Sequence, residues 1–175
     1  EKTDESLGLL EQSRLPLIAV DTYPLHYRGA YVANALESAG RLAADHLAQA
    51  GCRSPVFFNA SAAMSGFSSF QHLLKGFREG IHAAGLSLPE SAVVHADWTI
   101  EGGVAGYDDL RARGIPFDGI FCVNDLCALG VMEAAERNGR RVGRDLAVVG
   151  IDNLEMAAVS RISLTSIDQP YDRII

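Results

Sequence analysis

Residues 119–139 read GIFCVNDLCALGVMEAAERNG, and this stretch decides the predicted fold. It opens with a short apolar run over 119–123 that is typical of a buried strand. It then enters a segment from Leu126 to Arg137 whose apolar positions recur with helical spacing. Gly139 follows, and a glycine there is typical of a helix C-terminus. The stretch therefore predicts a strand, a polar turn and a helix that packs back on the strand.

The same unit recurs along the chain, and this alternation predicts an α/β fold, a parallel sheet with flanking helices. The strands are short and almost continuously apolar, as expected of strands buried on both faces. Strands are predicted at 16–20, 30–33, 55–59, 92–96, 119–123 and 146–151, and helices at 38–50, 67–84, 100–112 and 126–137. The segment 6–12 looks like the end of a further helix whose preceding strand is missing.

The composition indicates a folded chain that does not itself bind nucleic acid. Of its 175 residues, 48% are hydrophobic and 21% are charged, which argues against a disordered protein. The net charge of −7 predicts repulsion from phosphates, so any DNA contact must come from another segment. The sequence has neither an apolar run of membrane-spanning length nor an export signal. We therefore expect a cytoplasmic protein without a membrane partner.

The three cysteines, Cys52, Cys122 and Cys127, are expected to be buried free thiols in a reducing compartment. The spacing of Cys122 and Cys127 is not that of a usual zinc-ligand pair, and no second pair follows. We therefore predict neither a metal ion nor a cofactor.

Polar side chains follow five of the predicted strands, where a parallel α/β sheet binds its ligands. They are Asp21, Asn59, Asp97, Asn124 with Asp125, and Asp152. Asp97 and Asp125 are better explained as N-caps of the helices that follow them. For Asp21 and Asp152 the next segment is not clearly helical, so contact with a ligand is the better explanation.

Trp98, the only tryptophan, lies at one of these strand ends and would suit the apolar face of a small polar ligand such as a sugar. Packing in the core or at a hinge is an equally good explanation for it. Asn124 can donate and accept hydrogen bonds at once, as hydroxyl-bearing ligands require.

Motifs for catalysis are absent from the sequence. It contains no Gly-x-Ser-x-Gly elbow, no phosphate-binding loop and no Gly-x-Gly-x-x-Gly after a strand. The five histidines stand apart from one another and from acidic partners at metal-binding spacing. We therefore expect a protein that binds a small molecule and is not an enzyme.

Several motifs, in order along the chain, strongly resemble the effector domain of the LacI/GalR (lactose-repressor) family of transcriptional regulators. They are PLIAVD at 16–21, GRLAADHLAQAG at 40–51, the apolar and helical stretch beginning at 119, DLAVVGIDN at 145–153 and LTSIDQP at 164–170. The resemblance implies a type I periplasmic-binding-protein-like fold, with two lobes joined by three crossovers. Residues 1–33 would then be part of the N-terminal lobe, 34–162 the C-terminal lobe, and 163–175 the crossover back.

The resemblance also implies a set of effector-binding residues. Positions at which relatives contact their effector are occupied by Asp21, Ser69, Trp98, Asn124 and Asp152, while Tyr171 matches an aromatic residue after the last crossover. One position departs from the family pattern, because Leu73 stands where relatives usually have an arginine. Loss of that donor predicts an unusual effector, or a role for His72 in its place.

The resemblance further implies partners. A small effector, sugar-like or another polar metabolite, would bind between the lobes, and operator DNA would be bound by an N-terminal helix-turn-helix absent from this chain. Relatives pair through both lobes, so a homodimer is expected.

Two alternatives remain open at this point. A periplasmic sugar-binding protein of a transporter would share the fold and the cleft, but would need an export signal. A small α/β hydrolase or nucleotide-binding enzyme would need a nucleophile with a base, or a phosphate loop.

Overall fold

The computed structural model describes residues 16–21, 23, 27–62, 64–170 and 172. The helices in this part of the chain are α1 (Leu36–Gln49), α2 (Ser68–Ala83), α3 (Ile100–Ala112) and α4 (Asp125–Arg137), with short 3₁₀ turns at Glu90–Ala92 and Glu155–Ala158. The strands are β1 (Ile18–Val20), β2 (Ala30–Val32), β3 (Pro55–Asn59), β4 (Val93–His95), β5 (Gly119–Cys122), β6 (Ala147–Ile151) and β7 (Thr165–Ile167). The predicted helix end at 6–12 lies outside the described residues.

The described strands form two parallel sheets, which confirms the predicted fold class. The larger sheet has the order β4-β3-β5-β6-β7, and β1 pairs with β2 in the smaller one. Phe57 of β3 lies opposite Phe121 of β5, which sets the register at the centre of the larger sheet. Helix α1 packs on α2, and α3 packs on α4. Because all these strands are parallel, their carboxyl ends meet at one edge, where a ligand site is expected.

The core of the larger sheet is built around three phenylalanine rings. The ring centroids of Phe57, Phe77 and Phe121 lie 5.3–5.7 Å apart, and all three side chains are fully buried. Strands β3 and β5 are buried along their whole length, as their apolar sequences predict.

The expectation of burial on both faces is wrong for β1 and β2. Ile18 is 66% exposed and Tyr31 is 57% exposed, although both strands have apolar sequences. Each of these strands has a single neighbour, and no described helix packs closely on the pair. The apolar pattern predicted the strands but could not predict what covers them.

A glycine lies just beyond each of the four helices, as the sequence predicts for Gly139. Each lies two residues after the last helical residue and has φ between 65° and 84°: Gly51, Gly85, Gly114 and Gly139. Residues with a Cβ disfavour this left-handed conformation, so glycine ends the helix at little cost.

Strand β7 was not predicted, because its sequence Thr-Ser-Ile lacks the continuous apolar character of the other strands. It pairs with β6, with Gly150 opposite Ser166. The predicted crossover segment 163–175 therefore contributes a strand to the larger sheet.

Tyr107 of α3 carries a fully buried hydroxyl for which the described part of the chain provides no hydrogen-bond partner. Its ring packs edge-on against Phe117 at 5.2 Å. A buried, unpaired hydroxyl lowers stability by about 1–3 kcal/mol. We expect Tyr107→Phe to raise the free energy of unfolding by about 1 kcal/mol in urea denaturation. An unfolding midpoint lower than that of the wild type would contradict this account of the hydroxyl.

None of the helices in the described part of the chain combines the length and the apolar character that crossing a bilayer requires.

Candidate functional site

A pocket of about 220 Å³ opens at the carboxyl edge of the larger sheet. Its lining comes from segments far apart in sequence: the turn after β1, helix α2, the loops after β4, β5 and β6, and the chain after β7. Its polar lining residues are Asp21, Ser69, Asn124, Asp152 and Gln169, and its apolar ones are Leu36, Met64, Phe70, Leu73, Trp98, Val123 and Ile151.

Asp152 occupies the tip of β6, and its carboxyl group is partly buried. Its Oδ1 accepts a hydrogen bond of 2.6 Å from Nε2 of Gln169. Burial, together with the negative charges of Asp125 and Asp21, raises the pKa of Asp152 to about 6, although the bond from Gln169 acts against the shift. A carboxyl group with a raised pKa and few partners at a pocket wall is typical of a functional site.

Two of these strand-end carboxylates belong to residues with left-handed backbone. Asp21 has φ of 69° and Asp152 has φ of 114°, and residues other than glycine rarely adopt such angles. The backbone N–H of Asp21 donates to the carbonyl of Val32, and that of Asp152 donates to the carbonyl of Ile167. The turns held by these bonds place both aspartates on the pocket wall, and such strain often accompanies function.

Asn124 is the N-cap of α4 and also lines the pocket. Its Oδ1 accepts a bond of 2.8 Å from the backbone N–H of Cys127, and its Nδ2 donates to the carbonyl of Trp98 at 2.9 Å. The side chain thus joins the start of α4 to the loop that carries Trp98.

The predicted caps at Asp97 and Asp125 are wrong. Thr99, two residues after Asp97, caps α3 by accepting from the N–H of Gly102, and Asn124 caps α4. In each case the residue next to the helix has the extended backbone that an N-cap requires.

Asp125 lies in the first turn of α4 and is fully buried. Its carboxylate accepts bonds from Oγ of Ser166 at 2.6 Å and from the backbone N–H of Leu154 at 2.8 Å. Burial raises the pKa of Asp125, and these two bonds oppose the rise. Asp125 thereby fixes β7 and the loop after Asp152 from beneath the pocket.

The apolar wall of the pocket centres on Trp98 and Phe70. Their ring centroids are 5.3 Å apart, and Trp98 remains 39% exposed. Leu73 is almost fully buried and adds to this wall. An apolar wall facing several polar groups is the usual composition of a small-molecule site.

Hydrogen bonds join the segments before α1 to helix α2 and to the chain after β7. The backbone N–H of Tyr23 donates to Oγ of Ser68, and the N–H of Ser68 donates back to the carbonyl of Tyr23. Nδ2 of Asn34 donates to Oε1 of Gln169 at 2.7 Å. Gln169 therefore links Asn34, which precedes α1, to Asp152.

The structure brings five of the seven predicted site residues into this pocket, namely Asp21, Ser69, Trp98, Asn124 and Asp152. Tyr171 lies outside the described residues. Gln169 was not predicted as a site residue, although it belongs to the stretch LTSIDQP on which the family resemblance partly rests.

His72 lies outside the pocket, which corrects the expectation that it takes the place of the arginine. Ser69 and Leu73 face the pocket from α2, and His72 lies on the side of that helix that faces α1. Its Nδ1 is 2.9 Å from Oε1 of Glu37, which also accepts a bond from Nζ of Lys75. His72 thus takes part in an ion-pair cluster between α1 and α2.

The three cysteines are free and buried, as predicted. Burial raises the pKa of Cys52 to about 11, and burial likewise raises that of Cys122, so these thiols remain protonated and unreactive near neutral pH. Among the described residues, no three His, Cys, Asp or Glu side chains are grouped so that they could hold a metal ion.

Residues 44–175 match the family model described as a periplasmic binding protein-like domain. The chain belongs to this family. Members of the periplasmic binding protein-like family that resemble it include regulators of the LacI type, as the sequence predicts.

Three relatives illustrate the similarity. The ribose operon repressor of Halalkalibacterium halodurans is 31% identical over 163 residues, which cover 93% of this chain and 47% of that protein. The transcriptional regulator CelR of Thermobifida fusca is 37% identical over 99 residues, 57% of this chain and 29% of that protein. The solved complex of the transcriptional regulator CelR with cellobiose superposes with a TM-score of 0.86 at 28% identity, covering 95% of this chain and 50% of that chain. The chain thus spans about half the length, or less, of the relatives that it matches.

Proposed function

We propose that this chain is the effector-sensing domain of a LacI-type transcriptional repressor. It binds a small polar molecule, sugar-like in size and polarity, in the pocket between its N-terminal segments and the larger sheet. The observation that carries this proposal is the convergence of Asp21, Ser69, Trp98, Asn124 and Asp152, from five separate segments, on one pocket. A volume of about 220 Å³ suits a ligand smaller than a typical drug molecule, for which pockets of roughly 300–1,000 Å³ are usual.

The chemistry of the pocket favours binding over catalysis. The polar lining groups can accept hydrogen bonds from the hydroxyls of a polar ligand and donate hydrogen bonds to them. Effector binding would favour one orientation of the N-terminal segments relative to the larger sheet and transmit it to a DNA-binding segment outside this chain. We propose that the whole protein is a cytoplasmic homodimer that binds operator DNA.

Ligand screening of the full-length protein tests this function. Cellobiose, ribose and panels of other sugars, nucleosides and small acids are added, and the melting temperature is measured. A ligand at about 100 times its Kd stabilises the folded protein by about 2.7 kcal/mol. The ligand is then added to the protein bound to its own promoter DNA, and we expect the DNA affinity to change by about tenfold or more.

The opposite results are equally informative. A ligand that binds the pocket without changing DNA affinity would contradict the role in regulation. Turnover of any ligand would favour the enzyme alternative.

Trp98→Ala should weaken binding of a ligand found in this screen by about tenfold, or about 1.4 kcal/mol, because it removes the aromatic wall. Isothermal titration calorimetry measures the change. Leu42→Ala is the matched control, because Leu42 is an exposed apolar side chain on α1 that does not line the pocket. Equal loss of affinity in both variants would contradict a direct contact between Trp98 and the ligand.

A further inference from the structure

The pocket holds negative charge that none of its described lining residues neutralises. Asp21 and Asp152 both line it, and none of its described lining residues is lysine, arginine or histidine. The Asp21 carboxylate forms no ion pair with a described residue, and the one described side chain bonded to the Asp152 carboxylate is the neutral amide of Gln169. Leu73, which lines the pocket from α2, is also uncharged.

Several carboxylates on the protein surface have cationic partners. Glu37 is bonded to Lys75, and Asp145 is bonded to Arg141 through two side-chain contacts. These exposed acids have cationic partners, whereas the two pocket acids have none among the described residues. The two pocket acids therefore differ from these surface acids, because no described cation balances their charge.

A third carboxylate increases the negative potential from below. Asp125 lies beneath the loop that carries Asp152, and its own partners are the neutral groups of Ser166 and Leu154. Burial of Asp152 and the charges of Asp125 and Asp21 disfavour its ionised form. A positive charge in the pocket would relieve this repulsion, and a negative one would increase it.

We propose that the effector carries a protonated amino group that binds Asp21 and Asp152, while its ring or carbon skeleton packs on Trp98 and Phe70. This inference rests on the proposed function of the pocket and narrows its ligand to amine-bearing polyols such as amino sugars. Ammonium-to-carboxylate hydrogen bonds are roughly twice as strong as neutral ones. Sugar acids and sugar phosphates are excluded, because the described pocket residues offer no cation to pair with them.

Matched ligands that differ only in charge test the proposal. Full-length protein is titrated calorimetrically with glucosamine, galactosamine and mannosamine, with the three neutral parent hexoses, and with the three corresponding uronates. The buffer is near neutral and contains about 0.15 M salt to screen long-range attraction. We expect at least one amino sugar to bind about tenfold tighter than its neutral parent, and no uronate to bind.

Two aspartate variants distinguish the effect of a pocket carboxylate from the effect of the net negative charge of the protein. Asp21→Asn should abolish the preference for the amine. Asp97→Asn removes the same charge from another strand end that does not line this pocket, and it should retain the preference.

Each other outcome overturns the inference. A neutral sugar or a uronate that binds as tightly as its amine would overturn the cationic effector while leaving the proposed function intact. An amine preference that survives Asp21→Asn would show general attraction to an acidic protein. If no member of the three sets binds, the inference fails, and the proposed function is then decided by the screen with promoter DNA.

Discussion

Asp152→Asn is expected to reduce effector affinity by about a hundredfold while raising the melting temperature of the unliganded protein at neutral pH. The affinity falls because a carboxylate, whose charge strengthens the hydrogen bonds it accepts, becomes a neutral amide. Stability rises because an ionised carboxylate in a partly buried position, near Asp125 and Asp21, is replaced by a group without charge.

The pH dependence of this gain has a definite sign. Folding raises the pKa of Asp152 to about 6, so the folded chain holds a proton that the unfolded chain has already lost. The contribution of the protonated Asp152 carboxyl to the stability of the folded protein is complete below about pH 4 and is lost as the pH rises to about 6. The free energy of unfolding of the Asp152→Asn variant should therefore exceed that of the wild type by about 2 kcal/mol at neutral pH and by much less near pH 4.

Thermal denaturation across this pH range measures the effect. Asp145→Asn is the matched control, because hydrogen bonds from Arg141 lower the pKa of Asp145 to about 2. Loss of the Asp145 carboxylate should lower the melting temperature of the protein at neutral pH. A gain for Asp152→Asn that is the same at every pH would indicate relief of backbone strain at φ 114° rather than removal of charge.

Gly76→Ala should destabilise the protein by about 3 kcal/mol, although alanine is the better helix former by about 1 kcal/mol. A Cβ at Gly76 would lie 1.9 Å from the carbonyl oxygen of Glu37 on α1. Backbone cannot rotate away as a side chain can, so α1 and α2 would have to separate. Gly40, on the facing helix, meets the backbone of Leu73 in the same way.

Urea unfolding tests this prediction against Gly66→Ala. Gly66 has open space around its Cβ position and does not have a positive φ, so alanine there should change stability by less than about 0.5 kcal/mol. Equal midpoints for the two variants would contradict the close packing of α1 and α2. Because Leu73 lines the pocket from α2, Gly76→Ala should also weaken ligand binding.

The sequence predicts most of the larger sheet because its strands are buried on both faces. Pro55–Asn59 is continuously apolar up to its last residue, and the predicted strand has the observed bounds. Helix α3 is likewise predicted at its observed residues, since a helical pattern over 100–112 is followed by Gly114. Strand β7 was not predicted, because it is stabilised by pairing with β6 and by the hydrogen bond between Ser166 and Asp125. Both partners are distant from β7 in sequence.

The candidate site was predictable in part for the same geometric reason. Parallel strands place their final residues at one edge, so Asp21, Asn124 and Asp152 could be grouped before their positions were known. His72 could not be assigned in this way, because the facing direction of a helical residue depends on the helix packed beside it. The burial of Asp125 was also unpredictable, since its partners Leu154 and Ser166 come from later parts of the chain.

The hydrogen bond from Gln169 to Asp152 occupies Oδ1 of Asp152, an atom that a ligand in the pocket can also bind. An incoming ligand that binds Oδ1 of Asp152 would compete with the side-chain N–H of Gln169 for that atom, and Oε1 of Gln169 accepts a hydrogen bond from Asn34. The ligand and the contact between the segments that carry Asn34 and Gln169 therefore depend on the same acceptor. A substitution at Gln169 would change the effector concentration at which the protein responds, without changing which groups of the effector are bound.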